Sequence, residues 1–317
     1  MENLYKSLYE DIIRDDDTLN FDTDVIKKIS GQYDISSLSR YYNIEEYSLV
    51  TEPIGKNYIN ILHVNIRSFK KNFDTLKSFL SCLPKLPDVL AVTETWLKES
   101  TKHLYPLDGY ASHHLVRTNR NQGGISIYTK TEFTIEPINQ YCYINNNIEI
   151  LTTNLNILNS TYIISVIYRP HSKHELVNEF SSAIDQILSD DAFKRNKSIL
   201  LGDFNINLLE HTTHLPTNTF LNTMQALSYF PHISRPTRFP DNPDLGQPSL
   251  LDHIWTNFTP TSSSGIIHCG LSDHLPMFIN LTRQSIPISK HKISFRIHNT
   301  SNHNFFALIP YWVLKQI

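Results

Sequence analysis

An aspartate and an asparagine two residues apart, Asp203 and Asn205, close the apolar run in "SILLGDFNINLL", residues 198 to 209. In extended backbone, residues two apart point to the same side. A proton acceptor and a neutral amide would then face one site, while Phe204 turns back into the core. Gly202, just before them, permits an unusual backbone angle or the close approach of a ligand. Similar endings recur along the chain: Asn65 in "ILHVNIRSF", Glu94 in "VLAVTETWL", Tyr168 in "VIYRP", Asp252 in "LLDHIWTN", and Asp273 with His274 in "CGLSDHLPM". Each has a plainer explanation alone: Gly, Asp and Asn leave strands at ordinary turns, and Asp252 could pair with its neighbour His253. Together they place groups of catalytic type where apolar strands end, which is where sheet-containing domains build ligand sites.

The elements that would carry these groups follow from periodicity. "YINILHVN" reads as a buried strand, "FKKNFDTLKSFLSCL" as a helix and "DVLAVTET" as a strand again, one βαβ-like unit. "DGYASHHLVRTNRNQGGISIYTK" alternates around Gly109 and the Gly123-Gly124 pair and suggests a hairpin or meander. "NIEILTTNLNI", "TYIISVIYRP", "SILLGDF", "SLLDHIWTN" and "GIIHCGLSDHLPMFINL" supply further strands, with helices over "HELVNEFSSAIDQILSD" and "PTNTFLNTMQALSYF". Strands and helices interleave irregularly, which fits a large α/β domain with two packed sheets better than one parallel sheet.

With 317 residues and 40% hydrophobic side chains, the chain can bury a large core. Residues 1 to 56 carry 6 basic and 12 acidic side chains, leaving 22 against 19 in the remainder. That mild excess permits a nucleic-acid partner without the strongly basic footprint that would announce one. Cys82, Cys142 and Cys269 are odd in number and far apart, which speaks against a disulfide framework and a zinc knuckle. The acidic N-terminus is unlike a signal peptide, and no apolar run approaches the ~20 residues that span a bilayer. The sequence therefore leads us to expect a soluble, intracellular protein. Three segments are expected: an acidic, partly ordered extension (1–56), the domain proper (57–283) and a basic linker or tail (284–317).

The ordered set "VNIRS", "TETWL", "GGISIY", "YRP", "LGDFN", "LLDHIW" and "LSDHLP" resembles the endonuclease/exonuclease/phosphatase superfamily, over about residues 58 to 282. Within it the chain looks most like the endonuclease domain of LINE-type (non-LTR) retrotransposons. The resemblance implies an α/β/β/α sandwich, four layers of two packed mixed sheets flanked by helices, like deoxyribonuclease I. A reverse transcriptase would be expected to follow such a domain, yet no YxDD motif occurs among the 317 residues. The chain is accordingly read as an endonuclease copy without that part.

The same resemblance implies Mg2+-dependent phosphodiester hydrolysis, with Mn2+ able to substitute and no small-molecule cofactor. Glu94 is expected to hold the metal, supported by Asn65. Asp203 takes a proton from, or orients, the attacking water, and Asn205 holds the phosphate or base in line. His274 contacts a phosphate oxygen, most usefully as a cation, and Asp252 orients its ring. Tyr168 donates to the phosphate, and Asp273 is a further acid near metal or water. One position departs from the abasic-site branch: two residues after Asn65, where that branch has a metal-binding acid, stands Arg67, which cannot ligate a cation. This argues against abasic-site repair and assigns Arg67, with Arg169, to the DNA backbone. Lys70, Lys71, Arg117, Arg120 and Lys173 are further basic residues in the motif loops. The HxxH pairs His171/His174 and His211/His214, lacking a suitably spaced acid or cysteine, read as surface histidines.

The leading expectation is thus a nuclease that nicks one strand of double-stranded DNA to leave a 3'-hydroxyl, nuclear when it acts and with no protein partner specified by the motifs. The alternatives are a phosphatase or phosphodiesterase acting on a non-nucleic-acid phosphoester, and an inactive retroelement remnant that only binds DNA. The absence of a membrane-facing apolar loop weighs against a lipid substrate.

Overall fold

The computed structural model describes residues 39–51, 58–118, 122–157, 160–170, 176–240, 246–258 and 263–282. Among them, one mixed sheet has the order β1 (Arg40–Tyr42), β13 (Ser264–Ile267), β14 (Met277–Thr282), β2 (Tyr58–Asn65), β3 (Val89–Thr93), β5 (Ile125–Lys130) and β4 (Tyr110–Leu115). The other runs β11 (Phe230–Pro231), β12 (Asp252–Thr256), β10 (Lys197–Asp203), β9 (Ser160–Tyr168), β8 (Glu149–Ile157) and β6 (Ile135–Pro137), with β7 (Tyr143–Ile144) paired to β8. The helices are α1 (Ile44–Thr51), α2 (Phe69–Cys82), α3 (Leu176–Leu188), α4 (Asp191–Arg195) and α5 (Leu215–Ala226).

Alternation decides what each face covers. In β2, Ile59 and Ile61 join the apolar core that holds the second sheet, whereas Leu62 and Val64 join a separate cluster with Leu76, Phe79 and Leu80 of α2. On the second sheet, Phe204 packs against Phe180 of α3 and Phe220 of α5, at ring separations of 6.0 and 5.9 Å. Helices therefore flank two sheets whose inner faces meet, as the sequence leads one to expect. Burying a large side chain such as Phe204 completely contributes about 2–3 kcal/mol, so these two seams hold the layers together. No helix among the described residues is long and apolar enough to cross a membrane.

Two parallel pairs set the polarity of the site. β2 and β3 are parallel across α2, and β9 and β10 are parallel across α3 and α4. The strands and the longer helix of the second unit are those expected over "TYIISVIYRP", "HELVNEFSSAIDQILSD" and "SILLGDF". Their carboxyl ends carry Asn65, Glu94, Tyr168 and Asp203 together. β12 runs antiparallel to β10, so its first residue, Asp252, pairs in register with the last, Asp203.

The stretch before residue 57, expected to be a partly ordered extension, contributes β1, which pairs in parallel with β13, and its Tyr41, Tyr42 and Tyr47 are buried. Its tyrosines supply the apolar surface that its acidic composition concealed, and the Tyr41 hydroxyl donates to the Pro236 carbonyl at 2.9 Å. Residues 1–38 and 283–317, with most of the proposed extension and nearly all of the tail, lie outside the described residues. Gly202 adopts the unusual backbone angle that was one of the two uses expected of it. Its φ is +146°, and a Cβ there would lie 1.8 Å from the Ile167 carbonyl oxygen of β9. Gly202→Ala is expected to lower stability by more than about 2 kcal/mol, read as the urea midpoint; an unchanged midpoint would mean that β9 and β10 separate freely at this end.

Candidate active site

Asn65, the last residue of β2, lies almost fully buried between the sheets. Its Nδ2 donates to Glu94 Oε1 at 2.9 Å and to Asp203 Oδ2 at 2.8 Å, joining a residue of each sheet through one amide. Its Oδ1 accepts from the Arg67 backbone N–H at 3.2 Å. Glu94 is half-buried just past β3, with φ +54°, a conformation uncommon outside glycine. Its Oε2 accepts from the Trp96 indole at 3.2 Å. The strained loop is held from the Gly-Gly turn: Thr95 N donates to the Gly124 carbonyl and Trp96 N to that of Gly123. Gly124 in turn donates its N–H to buried Glu149, which is ion-paired with Arg117.

Asp203 is completely buried. It accepts from Asn65 Nδ2, from the Asn205 N–H at 3.0 Å and from Asn205 Nδ2 at 3.1 Å. Burial, followed by the negative charge of Asp252, raises its pKa well above the usual carboxylate range, despite these donors. Asn205, at φ +48°, also donates from Nδ2 to the Arg169 carbonyl at 2.8 Å. Asp203 and Asn205 are thus brought together, and Phe204 does turn into the core.

His274 and Asp252 form the other half. His274 Nδ1 lies 2.8 Å from Asp252 Oδ2, which also accepts from the Thr237 hydroxyl at 2.7 Å. Burial alone would lower the His274 pKa, but Asp252, then Asp203 and Asp273, push it up to about 9. Burial opposes the charge on Asp252, yet His274 beside it holds its carboxyl below the usual range. At neutral pH the pair is an imidazolium against a carboxylate. His253, the sequence neighbour, is not the partner: it faces the other way and stacks on Phe204 at 4.7 Å.

A ligand atom from each of Asp203, Asp252 and His274 lies within 4.8 Å of the others, an arrangement able to hold a metal in outline. A protonated imidazole already hydrogen-bonded to one of these acids has no lone pair to give. The oxygens of Glu94 and Asn65 suit a hard cation better. The hydrogen-bond donors to Glu94 found among the described residues, the Asn65 amide and Trp96 indole, are neutral.

Tyr168 pairs in register with both Asp203 and Glu149 at the mouth. Burial, then Glu94, raises its hydroxyl pKa, so it remains a donor. Two residues are placed differently from expectation. Arg169 is only 2% exposed, and its Nη1 donates to the Asn205 carbonyl at 2.9 Å. It braces the loop from a buried position, not from the exposed one expected of a residue on the DNA backbone. Asp273, expected as an acid near metal or water, is committed to arginines: Arg67 Nη1 at 2.8 Å on Oδ1 and Arg238 Nε at 3.1 Å on Oδ2. Arg117 is likewise withdrawn by Glu149, and His211 is buried rather than at the surface. Arg120, His171, Lys173 and His174 lie outside the described residues.

Sequence reasoning missed Thr237, Arg238 and Ser272. The first two sit in an irregular segment with no strand to point at them. That segment docks through Leu275 N to the Thr237 carbonyl and Phe239 N to the Asp273 carbonyl. Ser272 Oγ bridges the carbonyls of Asn65 and His274. Proline before Thr237 was the sole local signal.

A sequence model described as the Endonuclease/Exonuclease/phosphatase family matches residues 62–274. No match was found among curated proteins. Among solved structures, the chain is similar to the AP endonuclease LMAP from Leishmania major, at 15% identity and TM-score 0.58, covering 82% of this chain and 98% of that one. It is also similar to the Xenopus laevis APE2 catalytic domain, at 15% and 0.54, covering 70% and 91%. A third is the 3' phosphatase NExo from Neisseria bound to product DNA hairpin, at 14% and 0.50, covering 70% and 98%. At these identities the likeness is one of fold.

Folding raises His274 from its ordinary 6.5 to about 9. Its contribution to stability is full below pH 6.5 and is lost as the pH climbs through about 9, while the share from lowered Asp252 is lost as the pH falls into the acid range. An NMR titration of the imidazole should find His274 still protonated at pH 7 and titrating near 9. In Asp252→Asn it should fall back towards or below 6.5, because burial then acts with less opposition. A wild-type midpoint at or below 6.5 would exclude the charged pair.

Proposed function

We propose that this chain, which belongs to the endonuclease/exonuclease/phosphatase family, is a divalent-metal-dependent DNA endonuclease that nicks one strand and leaves a 3'-hydroxyl. The observation that carries the reading is the line of hydrogen bonds from Glu94 through Asn65 to Asp203, beside the His274–Asp252 pair. It gathers a carboxylate for a cation, an acceptor for a water proton and a fixed positive charge for a phosphate. Family members are hydrolases of phosphoester bonds, and the solved relatives named for AP endonuclease activity or seen with a DNA hairpin support DNA as substrate. The LINE-type (non-LTR) origin belongs to the same reading and rests on the motif string, as does action in the nucleus.

Glu94, with the Asn65 carbonyl, is the donor set we assign to Mg2+, or to Mn2+ in its place. Bound there, the metal would neutralise charge on the phosphate and stabilise the leaving 3' oxygen. The protein's own groups do the rest. Asp203 accepts the proton of the attacking water as the water oxygen bonds to phosphorus and the bond to the 3' oxygen breaks, the 3' oxygen leaving with the bonding pair and taking a proton from solvent to become the 3'-hydroxyl. An elevated pKa makes it a better acceptor near neutrality, and three N–H groups keep its oxygens in place. Asn205 fixes the base and the loop that follows it. His274 offers its charge to a non-bridging oxygen, Asp252 keeps that charge in place, and Tyr168 donates its hydroxyl. Arg67, where a second metal-binding acid would stand, tells against abasic-site repair as the main activity.

Purified protein should convert supercoiled plasmid to open circles with Mg2+ and not with EDTA. Asp203→Asn and His274→Ala should each slow nicking by at least about 100-fold, and Glu94→Gln should raise the Mg2+ concentration needed. A folded wild type that leaves the plasmid intact would overturn the assignment.

A further inference from the structure

The Asp273 side chain is only 5% exposed, yet it ends between two guanidiniums whose side chains are 48% (Arg67) and 36% (Arg238) exposed. One carboxylate oxygen serves each arginine, at 2.8 and 3.1 Å. Both arginines are drawn in from separate parts of the chain. Arg67 follows β2 in a left-handed conformation, φ +44°. Arg238 forms backbone bridges with Ser249 and with His274, which anchor it next to Asp273. The carboxylate cancels one of two positive charges, so the trio keeps a net charge of +1 next to His274. His274, then Arg67 and Arg238, counter the effect of burial and hold the Asp273 carboxyl below its usual range, so it stays ionised.

Three functions compete for Asp273. As a metal ligand it would need an oxygen turned away from cations, and each of its oxygens faces a guanidinium. As a proton acceptor it is too weak a base, because three cations surround it. As a spacer between two arginines it uses both oxygens and its burial. A guanidinium offers its N–H donors in a fixed fork, and the Arg67 and Arg238 side chains keep 48% and 36% of their surface exposed. The outward edges of both forks are suited to phosphate oxygens.

We propose that Arg67 and Arg238, held apart by Asp273, form a clamp for the phosphodiester backbone of the cleaved strand beside the scissile phosphate, with Asp273 as their positioning residue and not a ligand of metal or water. This rests on the assignment of DNA as substrate. The clamp gives Arg67, just past the end of β2, a use in holding the strand. It also accounts for Arg238, which no motif marks.

The test is nicking and equilibrium binding of duplex DNA across a salt series, in wild type, Arg238→Ala, Arg238→Lys, Arg67→Ala and Asp273→Asn, with folding checked by thermal melting. Wild-type nicking reports on the substrate assignment, and the variants report on the clamp. Arg238→Ala and Arg67→Ala should each weaken binding about tenfold and make the slope of log affinity against log salt shallower by about 1, the loss falling chiefly on KM. Arg238→Lys should recover the salt slope but not the full affinity, since it keeps the charge and loses the fork. Asp273→Asn, which releases both arginines but keeps their charges, should weaken binding less than either alanine variant and raise KM, with the salt slope and the Mg2+ concentration required unchanged. A wild type that nicks DNA while Arg238→Ala retains both affinity and slope would overturn the clamp alone. A higher Mg2+ requirement in Asp273→Asn would also overturn it, returning Asp273 to the metal. A wild type that neither binds nor nicks DNA would remove the substrate assignment and the clamp together.

Discussion

Two sheets can close on each other only as far as their inner faces stay apolar, and in this protein that limit is reached at Asn65. Below it, Ile59 and Ile61 meet the second sheet in a dry core. At it, one carboxamide reaches across to both Glu94 and Asp203. The amide is the smallest group able to satisfy two acids from opposite sheets without carrying a charge of its own. Leucine there would seal the seam, and aspartate would set a third carboxylate against the other two. The site is therefore the place where the core stops being apolar, and its chemistry inherits the core's low dielectric: Asp203 is a poor acid because it is buried, and His274 a strong base because its near neighbours are acids.

Backbone strain follows from the same crowding. Arg67, Ser68, Glu94, Trp96 and Asn205 all have positive φ although none is glycine. Each lies within three residues of the end of β2, β3 or β10. A strand that leaves its sheet in an ordinary turn would carry its polar side chain outward into water. Left-handed residues fold the chain back over the seam, so Glu94 and Asn205 face the neighbours that hold them. Such conformations persist because surrounding bonds over-determine them, and the backbone bonds from Thr95 and Trp96 to the Gly123-Gly124 turn do this for Glu94.

Most of the scaffold could be read from the sequence because period-two and helical patterns are local. β2, α2 and β3 fall almost where "YINILHVN", "FKKNFDTLKSFLSCL" and "DVLAVTET" place them. The groups ending those strands were visible for the same reason, since Asp203, Glu94 and His274 sit directly beside apolar runs. What the sequence concealed was pairing. Nothing local distinguishes Arg169, which is buried, from Arg67, which is half exposed, because burial there depends on how far the Asn205 loop folds over β9. Asp273 shows the same limit, its partners being Arg67 from near the start of the domain and Arg238 from a segment without periodicity. Thr237 illustrates it most sharply: a lone threonine in an irregular stretch ties down the carboxylate of Asp252.

β1 gives the first sheet a short terminal strand that its sequence does not advertise. It lies alongside β13, where Gly265 leaves just enough room for the ring of Tyr42; a Cβ there would meet that ring at 2.2 Å. A fragment trimmed to begin at Tyr58, where the motifs begin, would leave β13 with an unsatisfied row of peptide groups and a side-chain-free notch. Such an edge is a template for another strand. The shortest piece containing every motif residue would thus expose the edge of β13 that the three residues of β1 cover.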